Sequence, residues 1–196
     1  MKKNKKLLVL VALFLAVFAV GGTLAYLTDT TDEVTNTFTF GKVDIDLSET
    51  WNAEDGKGED GLGLNPGAEV EKKPKITVEE GSKPAYVFME VEMPAQVNGK
   101  DVLILGDTAS DWTLFKTEGN KKIYAYGSGT VMTKLSENEA TSDLFEKVTV
   151  NSALKDTDLA SLTNGANIVI KGYAIQADDL GGKTAPADVW DALQNQ

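Results

Sequence analysis

No cysteine, no histidine and no arginine occur among these 196 residues, and each absence removes a class of function. Without cysteine no disulfide can form, so packing and hydrogen bonds alone must hold the fold. Without histidine the commonest general base and the commonest metal ligand are missing. Serine–histidine triads, cysteine–histidine pairs and ordinary zinc sites go together. Without arginine there is no planar fork to grip phosphate, and all 19 basic residues are lysines. Against them stand 30 acidic residues. A surface of that sign repels nucleic acid and anionic lipid, so neither is an expected partner.

Long apolar runs are scarce too, with one exception at the start. MKKNKK places four lysines ahead of LLVLVALFLAVFAV, fourteen uncharged apolar residues from Leu7 to Val20. A basic stretch, a short apolar stretch and small residues before a cut make a secretory signal. Thr23 and Ala25 then occupy the third and first positions before the cut, and the exported chain begins at Tyr26. The rival reading is an anchor, because Leu7 to Leu27 is uncharged throughout and could just cross a bilayer. Gly21, Gly22 and Thr23 dilute the last third of that stretch, which favours cleavage. Either way the rest of the chain is exported. The expected organisation is a signal peptide over 1–25, an N-terminal segment over 26–35 and one domain over 36–196. All 30 acidic residues and 15 of the lysines follow residue 25, a formal charge of −15. No membrane contact is expected after cleavage.

The exported part reads as short strands separated by turns. In NTFTFGKVDIDLSE, Phe38 and Phe40 share one parity and Val43, Ile45 and Leu47 the other. A bulge near Gly41 would bring all five to one face. The acidic, glycine-rich stretch from Glu49 to Gly67 reads as a loop. PAYVFMEVEMP is a clear half-buried strand, with Val87, Met89, Val91 and Met93 on one face and Glu90 and Glu92 on the other. Weaker strands are expected at AEVEKKPKITVEE, DVLIL, DWTLF, KKIYAYG, LFEKVTV and NIVIKGYAIQA. Pro186, Val189, Trp190 and Leu193 fall at helical spacing, and KDTDLASL suggests a second short helix. About eight short strands argue an all-β, jelly-roll-like antiparallel sandwich. Tyr86, Phe88, Trp112, Tyr124, Tyr126 and Tyr173 lie in strand patterns and are expected to pack.

Two short motifs fail on their surroundings. GKGEDG over 56–61 spells the dinucleotide fingerprint, but it lacks a flanking strand and helix, and its carboxylates repel phosphate. Asp55, Glu59 and Asp60 there are candidate calcium ligands without the spacing of an EF-hand loop. SALK from Ser152 to Lys155 lacks the companion motifs of penicillin-recognising enzymes. Neither a catalytic residue nor a cofactor emerges.

The junction GGTLAYLTDT followed by NTFTFGKVDIDLSE resembles the TasA/camelysin family of exported Gram-positive proteins, cut by the dedicated signal peptidase SipW. NPGAEVEKKPKITVEEGSKPAYVFMEV, TSDLFEKVTVN and VIKGYAIQADDL extend the resemblance along most of the chain. It implies a jelly-roll sandwich in an extracellular matrix or on the cell surface, and a subunit that polymerises with itself into biofilm fibres. In those fibres the N-terminal segment of one subunit completes a sheet of the next, and an accessory matrix protein can take part. On this reading the cut at Ala25 frees a donor strand comprising Tyr26, Leu27, Thr28, Thr30 and Val34. A monomeric adhesion or ligand-binding module is the alternative. A camelysin-like protease is a remote third, set against the missing histidine.

Overall fold

The computed structural model describes residues 30–31, 34–35, 43–50, 64–162, 166–178 and 180–195. The strand expected to bulge at Gly41 is described only from Val43 onward. The acidic loop over 51–63, including Asp55, Glu59 and Asp60, lies outside the described residues.

In chain order the strands are β1 (Thr30–Thr31), β2 (Val34–Thr35), β3 (Ile45–Thr50), β4 (Glu69–Glu71), β5 (Lys73–Val78), β6 (Ala85–Glu92), β7 (Leu103–Leu105), β8 (Trp112–Glu118), β9 (Lys121–Tyr126), β10 (Lys147–Val150) and β11 (Val169–Gln176). Two short helices join them, α1 (Asp156–Leu159) and α2 (Pro186–Gln194). All pairings are antiparallel.

One sheet has the order β11-β6-β9-β8. The other is assembled around the run from Glu69 to Val78. Its β5 half pairs with β3, and its β4 half pairs with β10, which pairs in turn with β7. Between these ladders the chain before β10 keeps step with β5 through bonds from Thr141 N to Ile76 O and from Leu144 N to Pro74 O. The connections β5–β6, β6–β7, β7–β8, β9–β10 and β10–β11 all cross from one sheet to the other. That is the architecture of an all-β sandwich.

The sheets close on one apolar layer. Val87, Met89, Val91, Trp112, Tyr124, Ile170 and Ala174 come from the β11-β6-β9-β8 sheet, and Val43, Ile45, Ile76 and Val78 from the β3 and β5 side of the other. Alternation along each strand selects these residues, because successive side chains point to opposite faces. Gly172 of β11 lies in this layer, and a Cβ there would stand 3.2 Å from Ile45 Cδ1 and 3.3 Å from Ile76 Cδ1. A side chain there would have to push both isoleucine tips aside by a few tenths of an ångström.

The expectation that β6 is half-buried is corrected. Its second face is covered as well, because α2 lies across the outer face of that sheet. Tyr86, Phe88, Ile123, Ala125 and Ile175 pack there against Val189, Trp190 and Leu193. The Trp190 ring meets Phe88 edge-on with centroids 4.9 Å apart and Tyr173 at 5.5 Å. Glu90, read as solvated from the alternation, is buried on this face.

Candidate assembly surface

Thr30 and Val34, assigned from sequence to one extended strand, sit on two facing strands. β1 and β2 form a hairpin in which Thr30 opposes Thr35 and Thr31 opposes Val34. Among the described residues these strands pair with each other and with no strand of either sheet. β2 nonetheless runs close beside β11, the edge strand of its sheet. Tyr26, Leu27 and Thr28, like the cleavage residues Thr23 and Ala25, lie outside the described residues.

The two sides of the sandwich differ. At the β3 and β11 side, Gly172 allows close contact between the sheets and the N-terminal hairpin stands alongside. At the β7 side a cleft of about 610 Å³ lies between β7, β9 and the turn joining β8 to β9. Met93, Leu103, Leu105 and Tyr124 give it apolar walls, while Asp101 and Lys122 add charge. Burial pushes the Tyr124 hydroxyl above its ordinary pKa, and a hydrogen bond with Thr108 partly offsets this. Ile104 of β7 and Leu114 of β8 are exposed on the two edge strands. Such edges are available to other chains unless something blocks them.

One wall of the cleft is fixed from far along the sequence. Val97 and Lys100 close a tight turn, each bonding the other's carbonyl, with Asn98 and Gly99 at φ of 52° and 73° between them. Two successive left-handed residues are what a type I′ hairpin turn requires, hence Asn-Gly. Asp158 of α1 then grips this turn from 60 residues away. Asn98 Nδ2 donates to its Oδ1 at 2.6 Å, and Lys100 Nζ to its Oδ2 at 2.8 Å. The Lys155 backbone N–H donates to the same Oδ2 at 2.9 Å, so this carboxylate also caps α1.

The Lys100 hydrogen bond, then those of Asn98 and Lys155, hold the Asp158 carboxyl well below the usual carboxylate range. A group with a depressed folded pKa stabilises fully above its unfolded pKa and loses that contribution as pH falls. Wild type should therefore exceed Asp158→Asn in urea midpoint at about pH 6, with the gap narrowing toward about pH 3. A gap independent of pH would show that the charge of Asp158 contributes nothing.

Glu90 is the other buried carboxylate with several partners. It accepts from Lys121 Nζ at 3.1 Å and from the Tyr173 hydroxyl at 3.1 Å, with Lys171 Nζ at 4.0 Å. Burial first, then the Glu90 charge, raises the pKa of the Tyr173 hydroxyl. This carboxylate is surrounded by donors on the sheet face that carries α2, so it reads as a packing device. Ser152 and Lys155 of the SALK motif lie at the turn into α1, where Lys155 serves the cap.

Among the described residues no three or more acidic side chains converge to hold a metal ion, and no helix is long and apolar enough to cross a membrane. Sequence reasoning missed the Asp158 clamp, the Glu90 cluster and the cleft. Only the Asn98-Gly99 pair carried a signal, as a hairpin turn. Comparison with known proteins found no matching family model, no similar curated protein and no similar solved structure.

Proposed function

We propose that this chain is an exported structural subunit of an extracellular matrix or biofilm fibre, of the TasA/camelysin kind, which polymerises by donating its N-terminal strand to a neighbour. The observation that carries this reading is the position of the N-terminal hairpin. Its β2 lies close to β11, the edge strand of its sheet, yet the ladders of both sheets are built by strands from β3 onward. A segment that lies near an edge strand and pairs with no strand of either sheet can make the same contact on another copy. Exchange of an identical element between protomers costs little, because the interactions given up within a chain form again between chains. The hairpin must open to do so, which frees Tyr26 to Val34 to lie extended. Ladder bonds at about 0.5–1.5 kcal/mol net each then add up over the strand.

Composition supports the same reading. A chain without histidine or cysteine is poorly equipped for catalysis, and we assign it no enzymatic activity, no cofactor and no metal. Its partners are other copies of itself, the SipW-type peptidase that trims it and, where the matrix has one, an accessory protein. A monomeric adhesion module is the second reading, favoured specifically by the cleft between β7 and β9. Electron microscopy separates them: protein beginning at Tyr26 should form fibres at raised salt. Uniform single particles under all conditions would favour the adhesion module.

Release of the exported chain from the membrane requires the cut that Thr23 and Ala25 mark. N-terminal sequencing of the secreted protein should begin YLTDT. Recovery of a membrane-bound form retaining residues 1–25 would restore the anchor and remove the free strand.

A further inference from the structure

We propose that Asn98–Gly99 is a site of spontaneous deamidation, and that its conversion springs the clamp joining the Val97–Lys100 turn to α1. Asparagine followed by glycine is the pair most open to this reaction, because no Cβ shields the glycine nitrogen. The Gly99 backbone nitrogen bonds to Asn98 Cγ, the bond from Cγ to Nδ2 breaks, and ammonia leaves with the Gly99 proton. Water then opens the succinimide. Breaking the new bond at Cγ gives aspartate, whereas breaking the backbone bond gives isoaspartate, with the chain routed through the side chain. Water is the only co-reactant.

What makes this turn more than a chemical liability is the group it faces. Asn98 Nδ2 is a donor to Asp158 Oδ1 at 2.6 Å, and Asp158 is only 3% exposed. As long as that bond holds, the amide is kept in place and Asp158, an ionised acceptor, has no proton to give the departing ammonia. After conversion, position 98, on the exposed turn, carries a carboxylate that can only accept, set against the buried carboxylate of Asp158. Two like charges at that distance repel, and Asp158 is held out of solvent. Lys100 Nζ offers one cation to two anions. The turn and α1 must then separate, and the Asp158 cap on the Lys155 N–H goes with them. Gln96 and Asp101, which flank the turn and line the cleft, lose their support. Asp158 is therefore both the guard of Asn98 and the element expelled when the guard fails.

The test is peptide mapping by mass spectrometry of the purified protein, wild type and Asp158→Asn, during incubation at neutral and mildly alkaline pH. Asn164–Gly165, the other Asn-Gly pair of the chain, serves as internal reference. Asp158→Asn should convert Asn98 on the order of tenfold faster, because losing a charge-assisted bond raises the population of the opened turn, and should leave Asn164 unchanged. In aged wild-type protein, molecules converted at 98 should exchange the amides of residues 155–162 faster than unconverted ones. Asn98→Asp should reproduce this and lower Tm by roughly 2–8 °C. Equal conversion of Asn98 in wild type and Asp158→Asn, or normal α1 protection in the converted molecules, would overturn the proposal.

Discussion

Deleting residues 26–35 is expected to abolish fibre growth while leaving a folded, monomeric sandwich. The two halves of this result have separate physical reasons. Folding should survive because β3 to β11 supply every ladder of both sheets, and the apolar layer between them is described from Val43 onward. Growth should stop because an unpaired edge in the receiving subunit is satisfied only by a strand brought from outside. Thr30→Pro should act in the same direction, since proline removes a backbone donor and fixes φ within the donated segment. The chain beginning at Tyr26 should assemble faster as salt rises, because subunits of formal charge −15 repel one another at low ionic strength. Sedimentation at matched concentration and raised salt reads both effects. The chain beginning at Tyr26 should pellet and the truncated one remain in the supernatant with unchanged circular dichroism. Equal behaviour of the two would leave the N-terminal segment without a role in assembly.

Trp190→Ala should be among the most damaging single changes, at about 3–5 kcal/mol. The indole is buried between α2 and the sheet, edge-on to Phe88 and Tyr173 and near Phe115. Truncation removes its transfer free energy and leaves a cavity that rigid strands cannot close. It also uncovers Phe88, and loosens the cover over the Tyr173 hydroxyl bonded to Glu90. Tm should fall by on the order of 10 °C, and thermal unfolding followed by calorimetry gives the number. A change of a degree or less would mean that α2 is an appendage and that the β6 sheet holds without it.

Trp190 also shows how much of the architecture could be read without coordinates. Pro186, Val189, Trp190 and Leu193 announced one apolar stripe on a short helix, and all four are buried. Strand patterns were legible for the same reason: a period of two at Val87, Met89 and Val91 leaves little else for the chain to do. The stripe, however, gave no hint of which surface it covers. Glu90 was misread on that account, since polar alternation looks solvated unless the distant helix above it is known. The Asp158 clamp was illegible because its partners lie 60 residues away, and sequence spacing says nothing of contacts across that separation. The cleft is walled by β7 and β9, strands of different sheets, so no contiguous motif could mark it. At the N-terminus the reading differed in another way. Threonines at alternate positions fit an extended strand, whereas the structure folds Thr30–Thr31 back on Val34–Thr35. A segment with so few strongly apolar side chains has little to specify one pairing over another.

The most direct measurement of strand exchange asks whether the N-terminal segment touches β11 of its own chain or of the next. Because the protein has no cysteine of its own, Thr35→Cys and Lys171→Cys introduce the only two thiols. A short bis-maleimide then joins whichever pair is close, without the strict geometry a disulfide demands. Protein linked as dispersed monomer should run as a single band. Protein linked after assembly should give a ladder of covalent oligomers on a denaturing gel, because the contact has passed between chains. A single monomer band from fully assembled material would show that the segment stays with its own subunit, and would contradict assembly by strand donation.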